Sequence, residues 1–450
     1  MKLIRGLWVG AILLLVFQGC SKDPEEVKGV GSYSPIITGL AIDNEPAVRG
    51  IPNQLTVQVT NVNALPLTVH WSTASGVLTD STDVNATWVP PDTIGVYDVT
   101  VSVEATDDAE GKYYFKTQTY HVAVDNEFVR WTRSEAVQFD PAPIAQGGLL
   151  FAQIRNNATG QSDIWRVDAP MAGPDKVVSD FWFATSPSPR ADQAELIFAG
   201  RIAPPVVTVP TDRSTSIYAV DWAGGDTTTA RVVVQRNSAQ TFLQWPRFAP
   251  EGTQALYSSD SMNTTFPRVW RRDMSNFALS PQPLINDQVF FLSTYFTPSW
   301  GPDINNDDFP DSIITRGYFG AGQGASSRGL YKFGFTTLGP SAEGEVLALD
   351  DSTAADPDWS RDGQYLVFSR KNVGTATDRD IWIIRSDTND PANAVRVTFG
   401  PADDSHPRFS ADGLTIYFVS DRADRYGLNG LFPTERRGTN LWAVRLFDRP

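Results

Sequence analysis

The feature that most constrains this fold is a duplication between Asp356 and Ser420. Asp356-Pro357-Asp358-Trp359-Ser360-Arg361-Asp362-Gly363 leads into Gln364-Tyr365-Leu366-Val367-Phe368-Ser369. About fifty residues later, His406-Pro407-Arg408-Phe409-Ser410-Ala411-Asp412-Gly413 leads into Leu414-Thr415-Ile416-Tyr417-Phe418-Val419-Ser420. Each copy reads as a short aromatic strand, a tight Asp-Gly turn and a second apolar strand, because glycine enters positive φ without a Cβ clash.

Weaker copies precede these two. Asp140-Pro141 leads to Leu149–Phe151, Pro187–Asp192 to Leu196–Phe198, and Pro246–Gly252 to Ala255–Tyr257, while Pro298-Ser299-Trp300 opens a variant. That makes six copies. A third strand follows each pair: Asp163–Asp168, Ser216–Asp221, Val269–Asp273, Leu330–Phe333, Asp380–Ile384 and Asn440–Val444. Fourth strands such as Val232–Val234 and Val395–Thr398 end five of them. Several strands at this period predict propeller blades. The sixth copy lacks a fourth strand, and Glu127–Thr132 supplies a spare one ahead of the first. We expect that strand to complete the last blade, since an open ring leaves unpaired edge N–H and C=O groups.

Before the repeats, residues 34–125 alternate apolar and polar side chains. Leu55–Val59, Leu67–Trp71, Asn85–Trp88, Tyr97–Val103 and Tyr120–Val124 predict a β-sandwich with Trp71 in its core. The expected fold is therefore all-β: an N-terminal immunoglobulin-like β-sandwich, then a six-bladed β-propeller closed by an N-terminal strand. The net charge of −15, without a basic patch, argues against nucleic acid as a partner. The single cysteine, Cys20, excludes intramolecular disulfides and Cys-based metal sites.

Three resemblances sharpen this reading. Lys2 and Arg5, the apolar run Leu7–Phe17 and then Gln18-Gly19-Cys20 resemble a bacterial lipoprotein signal. It implies cleavage of residues 1–19 and lipid on Cys20, with 20–33 as a polar tether and Ser21 favouring the outer membrane. Trp88–Tyr97, with its Gly95-x-Tyr97 turn into a long strand, resembles immunoglobulin-like domains of the PKD type, which implies a spacer or adhesion module over 34–125. The Pro-x-Trp/Phe-Ser-x-Asp-Gly pattern, the strands ending Phe-x-Ser and the Asp-Ile-Trp sequence resemble the TolB-type propeller repeat over 126–450. That resemblance implies a periplasmic protein-binding propeller. The same repeats form the propellers of prolyl-oligopeptidase-type peptidases, whose separate hydrolase domain has no counterpart among these residues.

The catalytic inventory is thin, and no enzyme is expected. His70 and His121 fall in sandwich strands, and His406 opens the last inner strand beside Asp403 and Asp404. Gly324–Gly329 carries no nucleophile elbow, which needs a strand-to-helix turn. Asp303, Asn305, Asp307 and Asp311 place oxygen side chains at alternate positions of one loop and resemble calcium loops, so a structural Ca²⁺ is expected there. The loops joining second to third strands are long (201–215, 316–329, 370–379 and 421–439), and long loops often carry function. The last holds Arg422, Arg425, Tyr426, Phe432, Arg436 and Arg437, which with His406 form the candidate partner surface. The recurring inner-strand aromatics Phe248, Trp300, Trp359 and Phe409 are expected to pack between blades. The expected function is a lipid-anchored envelope scaffold that binds a protein or envelope polymer. The alternatives are a surface glycan-binding or glycan-processing propeller, or a propeller that gates substrate for a separate peptidase.

Overall fold

The computed structural model describes residues 34–446 apart from 44–46, 62–63, 108–110, 157–158, 205–214, 237–242, 261–266, 285–293, 304–309, 319–327, 337–338, 341–344, 347–352, 372–377, 389, 400–401 and 423–437. The chain divides into two units, one ending at Val124 and the other beginning at Asp125.

The first unit pairs two four-stranded antiparallel sheets. One orders Ile36–Ile42, Asn53–Thr60, Asn85–Val89 and Val77–Thr79; the other orders Ala47–Val48, Lys112–Asp125, Gly95–Asp107 and Leu67–Thr73. Period-two patterning explains the core. Val99, Val101 and Val103 are fully buried, and their outward neighbours Thr100 and Ser102 bond Thr119 and Thr117 at 2.9 and 2.8 Å. Trp71 and Trp88 fill the interior, and each indole N–H finds a backbone carbonyl, Asp83 at 2.8 Å and Ser75 at 3.1 Å. A buried tryptophan needs such a partner for its one polar atom. His121 is exposed and pairs with Asp98 at 2.6 Å.

The second unit is a six-bladed β-propeller. Blades 1 to 6 begin with the inner strands Gln138–Pro143, Phe183–Pro189, Leu243–Phe248, Thr294–Trp300, Ala355–Trp359 and Asp404–Phe409. Each pairs antiparallel with the next strands in sequence order, out to a fourth, and blade 4 carries two short strands, Gly339–Pro340 and Glu345–Val346, on its third. Every inner strand packs against its neighbours, and the first packs against the last, so the ring is continuous. Blade 6 takes its outermost strand from the front of the unit. Phe128, Val129 and Arg130 pair with Val444, Ala443 and Trp442, as the spare strand predicts. Trp131 N–H and Thr132 Oγ1 extend the junction onto the Leu441 backbone at 2.8 and 2.9 Å.

The repeated Ser-x-Asp-Gly has a local cause. Asp362 accepts from Ser360 Oγ and from the Gln364 N–H, and Ser360 Oγ in turn takes the Tyr365 N–H at 2.9 Å. Asp412 and Ser410 repeat the arrangement in blade 6. Gly363 and Gly413 follow at φ 72° and 68°. The recurring aromatics lie between blades. Phe248 packs with Ile197 and Ala199 of blade 2, Trp300 with Leu256 of blade 3, Trp359 with Ile314 and Leu330 of blade 4, and Phe409 with Val367 of blade 5. Burial of each contributes about 2–3 kcal/mol, so apolar packing holds neighbouring blades together.

Candidate functional site

The inner strands share a device that sequence patterning alone did not bring out. Each is interrupted by a register shift against its second strand. The residue at the shift precedes a proline and has positive φ: Asp140, Ser186, Trp245, Thr297, Asp356 and His406, all between 48° and 54°. Proline has no N–H to give the ladder, and a β-bulge is where a sheet tolerates that loss. A non-glycine residue at positive φ costs about 1–3 kcal/mol, and this strain recurs in every blade. A bulge re-aims side chains, and here it produces one ring of six around the propeller axis.

The ring residues differ in chemistry. Asp140 bridges two blades. Its Oδ2 accepts from Thr185 and Ser186 of blade 2 at 2.8 and 2.7 Å, and its Oδ1 lies 3.5 Å from His406 Nε2 of blade 6. Asp356 takes Ser369 Oγ at 3.3 Å. Burial pushes its carboxyl up, but the charges of His406, Arg408, Arg379 and Arg316 outweigh burial and hold it below the usual carboxylate range. Trp245 meets Phe296 edge-on at 5.8 Å. Trp245 and His406 stand on opposed blades and are half-buried, whereas the other four are buried.

Two residues further along each inner strand lies a second tier: Ala142, Ser188, Arg247, Ser299, Asp358 and Arg408. Asp358 touches both of its neighbours, accepting from Ser299 Oγ at 2.7 Å and from the Phe409 N–H at 2.9 Å. A side chain reaches two blades in this way only from the inner rim. Ser188 Oγ accepts the Phe248 N–H in the same fashion at 3.0 Å. Arg247 Nη1 donates to the Pro187 carbonyl at 3.2 Å, and Arg408 Nη1 to the carbonyls of Asp356 and Pro407 at 3.3 and 2.7 Å. The two arginines thus serve carbonyls that the bulges release.

The predicted site residues fare unevenly. Cys20, Asn305, Asp307, Arg425, Tyr426, Phe432, Arg436 and Arg437 lie outside the described residues. Asp303 and Asp311 are half-buried and flank the expected calcium loop, where the Asp311 N–H bonds the Pro302 carbonyl at 3.1 Å. Among the described residues no group of three or more His, Cys, Asp or Glu side chains could hold a metal. Arg422 is a correction. Expected as an exposed anchor, it is only 2% exposed. It pairs with Asp404 at 2.7 Å, faces Asp125 at 3.8 Å and lies 3.6 Å over the Phe128 ring. The carboxylates and rings of the closing blade hold it in the interior. His406 does reach the axis, as a ring member. Asp403, beside it, is held by a two-pronged contact from Arg379 at 2.8 and 2.9 Å. The missed signal was the x-Pro pair at one register in all six copies.

No protein-family model and no curated protein matches the chain. Solved structures do resemble it. TolB from Acinetobacter baumannii is 14% identical with a TM-score of 0.44, over 85% of this chain and 80% of that one. A putative TolB from Agrobacterium tumefaciens is 15% identical with a TM-score of 0.40, over 55% and 73%. The β-propeller domain of the Trilobed protease from Pyrococcus furiosus is 10% identical with a TM-score of 0.37, over 69% and 83%. At these values the propeller assignment rests on the strand pairing, and by that pairing the second unit of this chain is a six-bladed β-propeller.

Proposed function

We propose that the protein is a non-enzymatic binding propeller of the bacterial cell envelope, lipid-anchored through Cys20. On this reading it engages a protein or an envelope polymer at the end of the axis where the inner strands begin. The observation that carries the reading is the ring of bulged residues. Six blades present six side chains of mixed type, two carboxylates, two hydroxyls, an imidazole and an indole, toward one axis at one level. Such a composite ring suits recognition of an irregular surface. The hydroxyls of Thr185, Ser186 and Ser369 orient the two carboxylates. The calcium loop and the PKD-type spacer belong to the same proposal. The second reading, a glycan-binding propeller, is favoured by Trp245 standing in one tier with Asp140 and Asp356. Both carboxylates are buried, at 4% and 7% exposure, which counts against sugar hydrolysis.

Affinity capture from envelope extract, with the non-lipidated full chain as bait, tests this. One parallel bait carries Trp245→Ala and His406→Ala; another carries Arg425→Ser, Arg436→Ser and Arg437→Ser. A protein held by wild type and lost from the first bait supports recognition at the axis. Loss from the second alone moves the site to the last loop. Capture of a glycan and no protein overturns the reading in favour of the second.

A further inference from the structure

The second tier poses a problem that its hydrogen bonds leave unsolved. Arg247 and Arg408 are 8% and 5% exposed, and neither forms an ion pair with a described carboxylate. Arg247 Nη2 and Arg408 Nε are buried with no hydrogen-bond partner, and so is the Thr297 hydroxyl of the ring above. Buried guanidinium groups are ordinarily neutralised or fully hydrogen-bonded, because desolvation without compensation costs several kcal/mol. The charges of Asp140, Asp358 and Asp356 reach Arg247, but their hydrogen bonds go elsewhere, that of Asp356 to Ser369. Asp358 spends both oxygens on Ser299 and Phe409, and Asp140 is taken by Thr185, Ser186 and His406. Blades 3 and 6 are opposite one another in a ring of six, so the two arginines face the axis from opposed sides. Burial, followed by the charge of Arg408, brings Arg247 down to about 9, which leaves it cationic at neutral pH.

We infer that Arg247 and Arg408 form an axial site for a carboxylate carried by the partner polypeptide, with Thr297 as an additional donor. The inference rests on the binding-propeller reading and names what that axis recognises. Guanidinium forks match a carboxylate in shape and hydrogen-bond direction. Asp140, Asp356 and Asp358 already surround the site, so a single negative charge is accommodated better than the double charge of a phosphate. A chain entering where the inner strands begin passes Trp245 and His406 first. It meets the arginines two residues deeper, about 7 Å further at strand rise.

Saturation-transfer NMR on the full chain tests this with N-acetyl-diglycine, its amide and N-acetyl-glutamate amide, and with inorganic phosphate as a competitor that displaces their signal. Concentrations run to about 50 mM, well above the millimolar Kd that about 4 kcal/mol of binding gives. Binding of a free acid, with the amide of diglycine silent, is the expected result; the two acids separate a chain terminus from an acidic side chain. Arg247→Met or Arg408→Met weakens the acid about tenfold or more, as loss of a charge-assisted hydrogen bond does, and Arg→Lys weakens it less. Equal binding of acid and amide, no acid binding to wild type, or preference for phosphate overturns the inference without recourse to any variant. Acid binding unchanged in the doubly substituted chain also overturns it. A captured partner indifferent to both arginines sinks this inference and spares the proposed function. A carboxylate that binds while a glycan and no protein is captured keeps the anion site and overturns the proposed function.

Discussion

At the scale of the residue, positive φ does two different jobs in this molecule. At Gly252, Gly363 and Gly413 it closes turns with the residue type made for it. At Asp140, Ser186, Trp245, Thr297, Asp356 and His406 it is imposed on residues that resist it, and the surrounding sheet holds them there. Glycine is doubly required at 363, since an added Cβ would lie 2.4 Å from Pro302 Cγ of the preceding blade. Gly363→Ala is therefore expected to lose about 1–3 kcal/mol, combining left-handed strain with overpacking. Urea unfolding reads this as a lowered midpoint at unchanged slope. The turns were legible in the sequence because Asp-Gly is a local signal. The bulges were not, because an x-Pro dipeptide is common and takes meaning only from its register against a second strand. Arg422 misled for a related reason: its sequence neighbours are polar, whereas its spatial neighbours are Phe128, Phe418 and Asp404.

At the scale of the element, the closing strand is secured by more than its ladder. Asp125 accepts the Asn126 N–H at 2.8 Å and the Phe399 N–H at 3.0 Å, and shares Arg422 with Asp404. Burial, reinforced by the Asp404 charge and opposed by Arg422 and the two N–H groups, raises Asp125 from 3.8 to about 7. A carboxyl raised in the folded state keeps its proton to higher pH than in the unfolded chain. The stability it contributes is present below about 4 and is lost as pH rises through about 7. Asn resembles the protonated acid, so the melting temperature of Asp125→Asn relative to wild type should climb from pH 5 to pH 8. At about 1.4 kcal/mol per pKa unit, the full effect is a few kcal/mol. A flat difference across that range would remove Asp125 as its source. The proposed calcium loop makes a second prediction at this scale. Millimolar Ca²⁺ should raise the melting temperature of wild type and leave Asp303→Ala with Asp307→Ala unmoved; no shift in wild type makes the loop a turn alone.

At the scale of the whole molecule, the fold was the most legible part. Period-two strands, turns at regular spacing and a stray strand at the front sufficed to expect six blades and the way they close. A ring averages over many local errors, since each blade repeats one instruction. The site has no such redundancy: its six bulged residues are all different, and only the closed ring places them at one level. Deleting 127–132 removes the ladder to 442–444 and the burial of Trp131, and exposes Phe418 beneath Phe128. Two large aromatic contacts at about 2–3 kcal/mol each predict a loss of about 4–6 kcal/mol. Calorimetry should show a lower, broader transition, and an unaltered one would rule out closure as a source of stability. The pairing of Phe128–Arg130 with Trp442–Val444 also sets an order of events during synthesis. Blades 1 to 5 consist of neighbours in sequence and form as the ribosome delivers them, but the strand made first waits unpaired until the third strand of blade 6 emerges. A nascent chain stalled before Trp442 therefore carries five blades and an unclosed ring, and emergence of the strand Asn440–Arg445 decides whether it becomes a propeller or a target for proteolysis.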